Sequence, residues 1–196
     1  MTSRDTILAA IRAQHRPAPE LPDLVRPWIA YDDPLAQFTS LLQIVGARCH
    51  RVADAAAINP VLAGIPEIAA ARQIVSLVPG VGAPNVDLAA IDDPHQLETV
   101  DIAILPGEFG VAENGAIWVT SAGVKHRALY IIVQHLVLVI RAADIVQTMH
   151  QAYARVTLGK VDWGAFISGP SKTADIEQSL VVGAHGPRSL DVFCVG

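Results

Sequence analysis

Residues 166–187 read FISGPSKTADIEQSLVVGAHGP and bring together many groups able to hold an anion. Ser168, Ser171 and Thr173 offer hydroxyls, Lys172 a cation, Asp175 and Glu177 carboxylates, and His185 an imidazole, around Gly169 and Pro170. An apolar, strand-like run ends at Ser168, and a final helix is expected to start just after Gly169. A helix N-terminus presents unpaired N–H groups and partial positive charge, so a phosphate or carboxylate can dock there. The carboxyl edge of a strand in an open α/β sheet is where ligands tend to sit. The same residues also have a plainer use. Ser171 or Thr173 would cap the helix, and Asp175 and Glu177 would complement its dipole.

A second constellation is EFGVAENGAIWVTSA, residues 108–122. Asn114-Gly115 before alternating apolar residues is a turn signal. Glu113 stands beside it at a strand entrance. Desolvation there would raise its pKa and allow acid, base or nucleophile chemistry. The alternative is a turn carboxylate that bonds backbone amides. Arg127 is a bidentate donor for a carboxylate or phosphate. His126 and His135 flank an apolar stretch that could carry both to a sheet edge. The remaining histidines, His15, His50, His95 and His150, are scattered, and no H-x-x-x-H or H-E-x-x-H occurs, so a zinc hydrolase has little support. Nor is there a G-x-G-x-x-G, a P-loop or a G-x-S-x-G.

The elements that must position these groups follow from periodicity. A first helix is expected from Ser3 to Gln14, capped by Thr2 or Ser3. Four prolines between Pro17 and Pro27 make the next stretch an extended arm, which packs on a neighbouring subunit or folds back on its own domain. Residues 1–30 are thus expected to form a helix and arm, and residues 31–196 one α/β domain. Leu35, Phe38, Leu41, Leu42 and Val45 recur at helical spacing, with Gly46 as the stop. Strands are expected at ARCHRVA, QIVSLVP, VDIAILP, AIWVTS, HLVLVI, GAFIS and LDVFCV, with short helices at AAAINPVLAGI and PEIAAAR and a longer one at AADIVQTMHQAYARV. Alternating strands and helices indicate a mixed sheet flanked by helices on both faces.

Composition narrows the function. The 196 residues are 52% hydrophobic and only 17% charged, with a net charge of −5, so the chain is globular; the low charge suggests apolar surface covered by a partner, although an Ala-rich composition raises the same figure. Lysine occurs only at Lys125, Lys160 and Lys172, which leaves no basic patch for nucleic acid. Cys49 and Cys194 stand apart, so the chain cannot supply four thiolates to an iron–sulfur cluster or a Cys-rich zinc site; both are expected to be reduced, in a cytoplasmic protein. The longest apolar stretch, ALYIIVQHLVLVI, is 13 residues, too short to span a bilayer as a helix.

ISGPSKTADIEQSLVVGAHGP, FGVAENGAIWV and the downstream KHRAL and QHLVLV resemble the LUD-domain family, specifically its lactate utilization protein C branch. The resemblance covers about residues 100–196 strongly and the N-terminal helix and arm more loosely. It implies a fold shared with ribose-5-phosphate isomerase-like proteins and CoA transferases. It also implies a component of a bacterial iron–sulfur L-lactate dehydrogenase complex, which converts lactate to pyruvate with two iron–sulfur partner proteins. The clusters are expected in the partners, with no cofactor bound by this chain. Glu113-Asn114-Gly115 is similar to the Ser-Glu-Asn-Gly motif of class I CoA transferases, whose glutamate forms an acyl thioester, although Ala112 stands where they have serine. That likeness implies an alternative, acyl transfer or thioester hydrolysis through Glu113; a small-anion-binding module is a further one. The combined expectation is a cleft lined by Glu113, Gly115, Arg127, His135, His185 and residues Ser168 to Glu177, holding lactate, a phosphate-bearing cofactor or a partner's loop. The chain is also a candidate homo-oligomer through its arm.

Overall fold

Short runs of valine, isoleucine and leucine build the centre of the molecule as parallel strands: β1 (Arg48–Val52), β2 (Ile74–Ser76), β3 (Ile102–Pro106), β6 (His135–Arg141) and β11 (Ser189–Val195). Their order is β1-β11-β6-β3-β2, and every neighbouring pair is parallel. This is a computed structural model of the chain, and it describes residues 2–14, 19–20, 27–157, 159, 161–174 and 180–196. His15, most of the proline-rich arm, and the candidate residues Asp175 and Glu177 lie outside the described residues.

A strand buried on both faces has apolar residues at successive positions, and this sheet shows it. One face carries Ile102, Ile104, Val137 and Phe193, covered by Ile58, Leu62 and Ile68 of two short helices, α3 (Ile58–Ala63) and α4 (Pro66–Ala69). The other carries Ala103, Leu105, Leu136, Leu138, Ile140 and Val192, covered by Phe38 and Leu42 of helix α2 (Pro34–Ile44) and by a second sheet. Full burial of each such side chain contributes about 1.5–3 kcal/mol.

The second sheet has the order β7-β4-β5-β8, from β4 (Phe109–Val111), β5 (Ala116–Thr120), β7 (Ile145–Val146) and β8 (Gly164–Ile167). Its inner face sends Ile117 and Val119 into the main core, and its outer face packs Phe109, Val111 and Ala116 under Ala152 of α5 (Met149–Arg155). A mixed α/β architecture is therefore present, as the spacing indicates. The first helix, α1 (Ser3–Ala13), is closed by a capping box in which Thr2 and Asp5 satisfy each other's backbone and side-chain groups, and it buries none of its residues.

Two expectations need correction. The helix expected over AADIVQTMHQAYARV begins only at Met149. Before it, Ala142–Asp144 is a 3-10 turn, and the β-branched pair Ile145–Val146 joins the sheet beside Gly110 and Val111. The final helix expected after Gly169 does not start there either. Lys172–Ala174 forms strand β9, paired antiparallel with β10 (Leu180–Val182). Thr173 with Val181 and Val182 gives this pair its β-branched content, which suits a pleated strand better than a helix. No helix among the described residues is long and apolar enough to cross a membrane.

Candidate functional site

The polar junction at Ser168 to Lys172 is built on the C-terminal end of α2. Gly169 has φ +80°, and a Cβ there would stand 2.6 Å from the Val45 carbonyl oxygen, so the chain turns hard against the helix end. Lys172 Nζ donates to that same Val45 carbonyl. A cation at the negative end of a helix is the favourable sign, and it takes up a carbonyl that the helix leaves unpaired. Ser168 Oγ donates to the Asn114 carbonyl at 2.9 Å, tying the junction to the β4–β5 turn. The lysine and one serine thus hold the fold together here.

The rest of the junction does face a cavity. About 220 Å3 opens between the two sheets, with Leu136 and Leu190 on one wall and Ala165 and Ile167 on the other. Gly169, Ser171 and His185 line its mouth, with Tyr130 and Trp163 stacked at 5.5 Å as a third wall. The loop is held by backbone bonds, Ser171 N–H to Pro187 at 2.8 Å and Gly183 N–H to Ser171 at 2.9 Å. That leaves the Ser171 hydroxyl and the exposed His185 ring as the polar groups at an apolar opening, the usual composition of a ligand pocket. Exposed Ile131 extends the apolar surface of its rim.

The other candidates lie elsewhere. Arg127 begins a 3-10 turn (Arg127–Tyr130) and lines a separate cleft of about 430 Å3 with Lys125 and His126, on the far side of Trp163. In that cleft Lys125 donates to the Ala89 carbonyl at 2.9 Å and His126 Nε2 lies 2.8 Å from that of Ile91. Thr173 sits in β9, opposite Val181. Gly115 abuts α2, where a Cβ would stand 3.2 Å from the Leu42 nitrogen. His135 opens β6 on the opposite face of the parallel sheet, its Nδ1 2.8 Å from Ser189 Oγ, and burial holds its imidazole below the ordinary value.

Glu113 is exposed in the β4–β5 turn and accepts the Met149 N–H at 2.7 Å, capping the first turn of α5. This is the backbone-bonding role of a turn carboxylate. Glu113→Ala is expected to lower stability by about 1 kcal/mol, a typical capping loss. Glu113→Gln keeps an accepting oxygen in place and should unfold in urea with the wild-type midpoint. A loss of activity in the folded Gln variant would instead point to acyl chemistry at this carboxylate.

A polar cluster that the spacing of single residues did not reveal lies on the helix-covered face of the parallel sheet. Asp191 in β11 is fully buried, and Arg48 of β1 reaches it with two parallel bonds, Nε–Oδ1 and Nη2–Oδ2, both 2.8 Å. His50 Nε2 is 2.8 Å from Oδ1, and Arg48 also reaches Glu67 at 3.2 Å. Burial pushes the Asp191 carboxyl up, but the bonds from Arg48 and His50 outweigh it and hold the group below the usual carboxylate value. The partners are adjacent only through strand register, Arg48 opposite Asp191, so nothing local could signal them. Cys49 and Cys194 are free, their sulfurs 3.7 Å apart on the other face. Among the described residues no group of three or more His, Cys, Asp or Glu side chains is placed to hold a metal ion.

Comparison with known proteins places these elements in a family. A protein from Shouchella clausii named lactate utilization protein C is 36% identical over 98 residues, covering 47% of this chain and 43% of that protein. One of the same name from Geobacillus kaustophilus is 31% identical over 124 residues, 60% of this chain and 48% of that protein. The matched stretches thus span under half the length of these curated relatives. A crystal structure of a DUF162 family protein from Deinococcus radiodurans superposes with a TM-score of 0.61 over 86% of this chain and 99% of that one, at 23% identity, and so shares the fold. The LUD domain profile matches residues 83–195, which run from β3 through β11 and include every wall of the cavity between the sheets. With more than half of its length so matched, the chain belongs to the LUD domain family.

Proposed function

We propose that this chain acts in lactate utilization, as a subunit of a bacterial L-lactate oxidation system whose iron–sulfur clusters reside in two partner proteins. The observation that carries this reading is its 31–36% identity to proteins named lactate utilization protein C. In the proposed reaction L-lactate loses two electrons and two protons to become pyruvate, and the electrons leave through the partners' clusters. The chain's part is to dock those proteins and hold a small anion.

Two structural features support docking. Among the described residues β9 and β10 form a two-stranded sheet, and strands at the edge of a sheet offer backbone groups for pairing. It also exposes Val181 and Val182, and Ile131, which lines the cavity, is 51% exposed. Apolar surface on a short edge-strand pair suits a protein partner.

The test is gentle affinity purification of this chain from its native host grown on L-lactate. The expected result is co-purification of proteins with the broad visible absorbance of iron–sulfur clusters and lactate-dependent dye reduction, lost when this chain is removed. A chain that comes down alone and colourless, with lactate oxidation unaffected by its deletion, would overturn the subunit reading.

A further inference from the structure

The outer face of the second sheet holds a further cavity, apart from the one between the sheets. It measures about 270 Å3 and lies where β3 ends and α5 runs out. Its walls are Phe109 and Trp118, and its polar groups are Glu108, Thr120, Arg155 and Thr157. Ligand pockets for drug-sized molecules run from about 300 to 1,000 Å3, so this one suits a ligand of a few heavy atoms. Glu108 follows β3 by two residues, placing a carboxylate just beyond the carboxyl edge of an interior parallel strand, the position α/β folds favour for ligands.

The charges are arranged as a complementary pair. Arg155 donates to the Asp144 carbonyl at 3.4 Å and hangs over the Phe109 ring at 5.7 Å. Among the described residues it forms no ion pair, so most of its five donors remain available to an anion. Glu108 is fixed from the other side. Its backbone N–H bonds Trp118 at 2.9 Å, and the buried Thr120 hydroxyl donates to its Oε1 at 3.3 Å. Tyr130 stands behind, its hydroxyl donating to the Thr120 carbonyl at 3.1 Å. Burial and the nearby Glu108 push that phenol up to about 12, so it stays a neutral donor at physiological pH. One oriented acceptor, one available fork of donors and two aromatic rings thus line the same cavity.

We propose that this cavity binds a short 2-hydroxy carboxylate. Arg155 takes the carboxylate, Glu108 accepts the hydroxyl hydrogen, and Phe109 and Trp118 cover the small apolar tail. The choice of L-lactate as probe rests on the lactate-utilization reading; the chemical class rests on the side chains. A 2-oxo acid has no hydroxyl hydrogen to give, and its carbonyl oxygen would face the Glu108 carboxylate. The site therefore prefers the reduced member of the pair. Propionate, with neither group, loses the Glu108 contact altogether. Hydrogen bonds to charged groups contribute about 1.5–3 kcal/mol, so each preference should be about tenfold or more.

The test is titration calorimetry of the full chain with L-lactate, pyruvate and propionate, repeated on Arg155→Met and Glu108→Gln. L-lactate is expected to bind about tenfold or more tightly than either analogue, Arg155→Met to weaken all three, and Glu108→Gln, whose amide can donate to a carbonyl oxygen as well as accept from a hydroxyl, to erase the preference for lactate over pyruvate. Both side chains are exposed, so melting curves of the variants should overlay the wild type and certify folding. Absence of lactate binding, equal binding of propionate, or wild-type affinity in folded Arg155→Met would each overturn the site. This outcome is separate from the purification result. Partners without Arg155-dependent binding leave the subunit reading standing and remove the site, whereas Arg155-dependent binding in a chain that purifies alone does the reverse.

Discussion

Arg48→Met should be among the most damaging single substitutions in this protein, lowering stability by about 3 kcal/mol at neutral pH. Breaking a buried ion pair by removing one partner costs about 3–5 kcal/mol, because the other charge is left in a poor solvent. The low end applies here, since the Arg48 side chain is 42% exposed and His50 remains bound to Asp191. Asp191 itself is 0% exposed. Methionine keeps the length of the side chain, so the loss reports charge and hydrogen bonds more than packing.

The pH dependence supplies a second check. The folded pKa of Asp191 is depressed, so its contribution is present above the unfolded carboxylate value, about 3.9, and is lost as pH falls through the lower folded value. In Arg48→Met the main opposing bonds are gone and burial raises the carboxyl instead. Protonation then relieves the variant at a higher pH than the wild type. Urea unfolding should show the gap between the two proteins narrowing as pH is lowered from 7 towards 4. A gap that is independent of pH would mean that the loss is packing rather than charge.

Gly169→Ala should have the next largest effect. A side chain at φ +80° costs about 1–3 kcal/mol in backbone strain alone. The added Cβ would also meet the Val45 carbonyl at 2.6 Å, and that oxygen is backbone and cannot swing aside. Moving it disturbs the Lys172 bond to the α2 end and shifts Ser171 at the cavity mouth. Gly123→Ala is the matched control, with φ +71° but nothing within 4 Å. The difference between the two melting temperatures isolates the close approach from the strain. Equal losses would show that the junction does not depend on contact with α2.

The strands of the parallel sheet were legible because a doubly buried parallel sheet writes itself as short continuous apolar runs, such as HLVLVI and LDVFCV. The caps were legible for a similar local reason. Thr2, followed three residues later by Asp5, and Asp33 before Pro34 each satisfy N–H groups within one turn. The hairpin at Lys172 was misread because its helix signals, small hydroxyls followed by acids, are equally turn signals. What decides between them is the partner strand at Leu180–Val182 and the α2 end at Val45, which lies 127 positions away from Lys172. The two-residue strand β7 was missed because its pairing with Gly110 and Val111 comes from another part of the chain.

By itself, the sequence determined the fold class, the absence of a clustered cysteine set, and the family to which residues 83–195 belong. These depend on composition and on patterns within a few residues of one another. Tertiary structure alone decided which polar residues face a cavity. It gave Lys172 and Glu113 to helix ends, put His135 on the opposite face of the sheet from the cavity, and left Ser171 and His185 at the opening. It also brought Arg48 to Asp191 across 143 positions, and Glu108 and Arg155 to one cavity from separate elements. The physical reason is that burial and charge pairing depend on distance in space, and a chain folded into stacked sheets makes neighbours of residues that are remote in order.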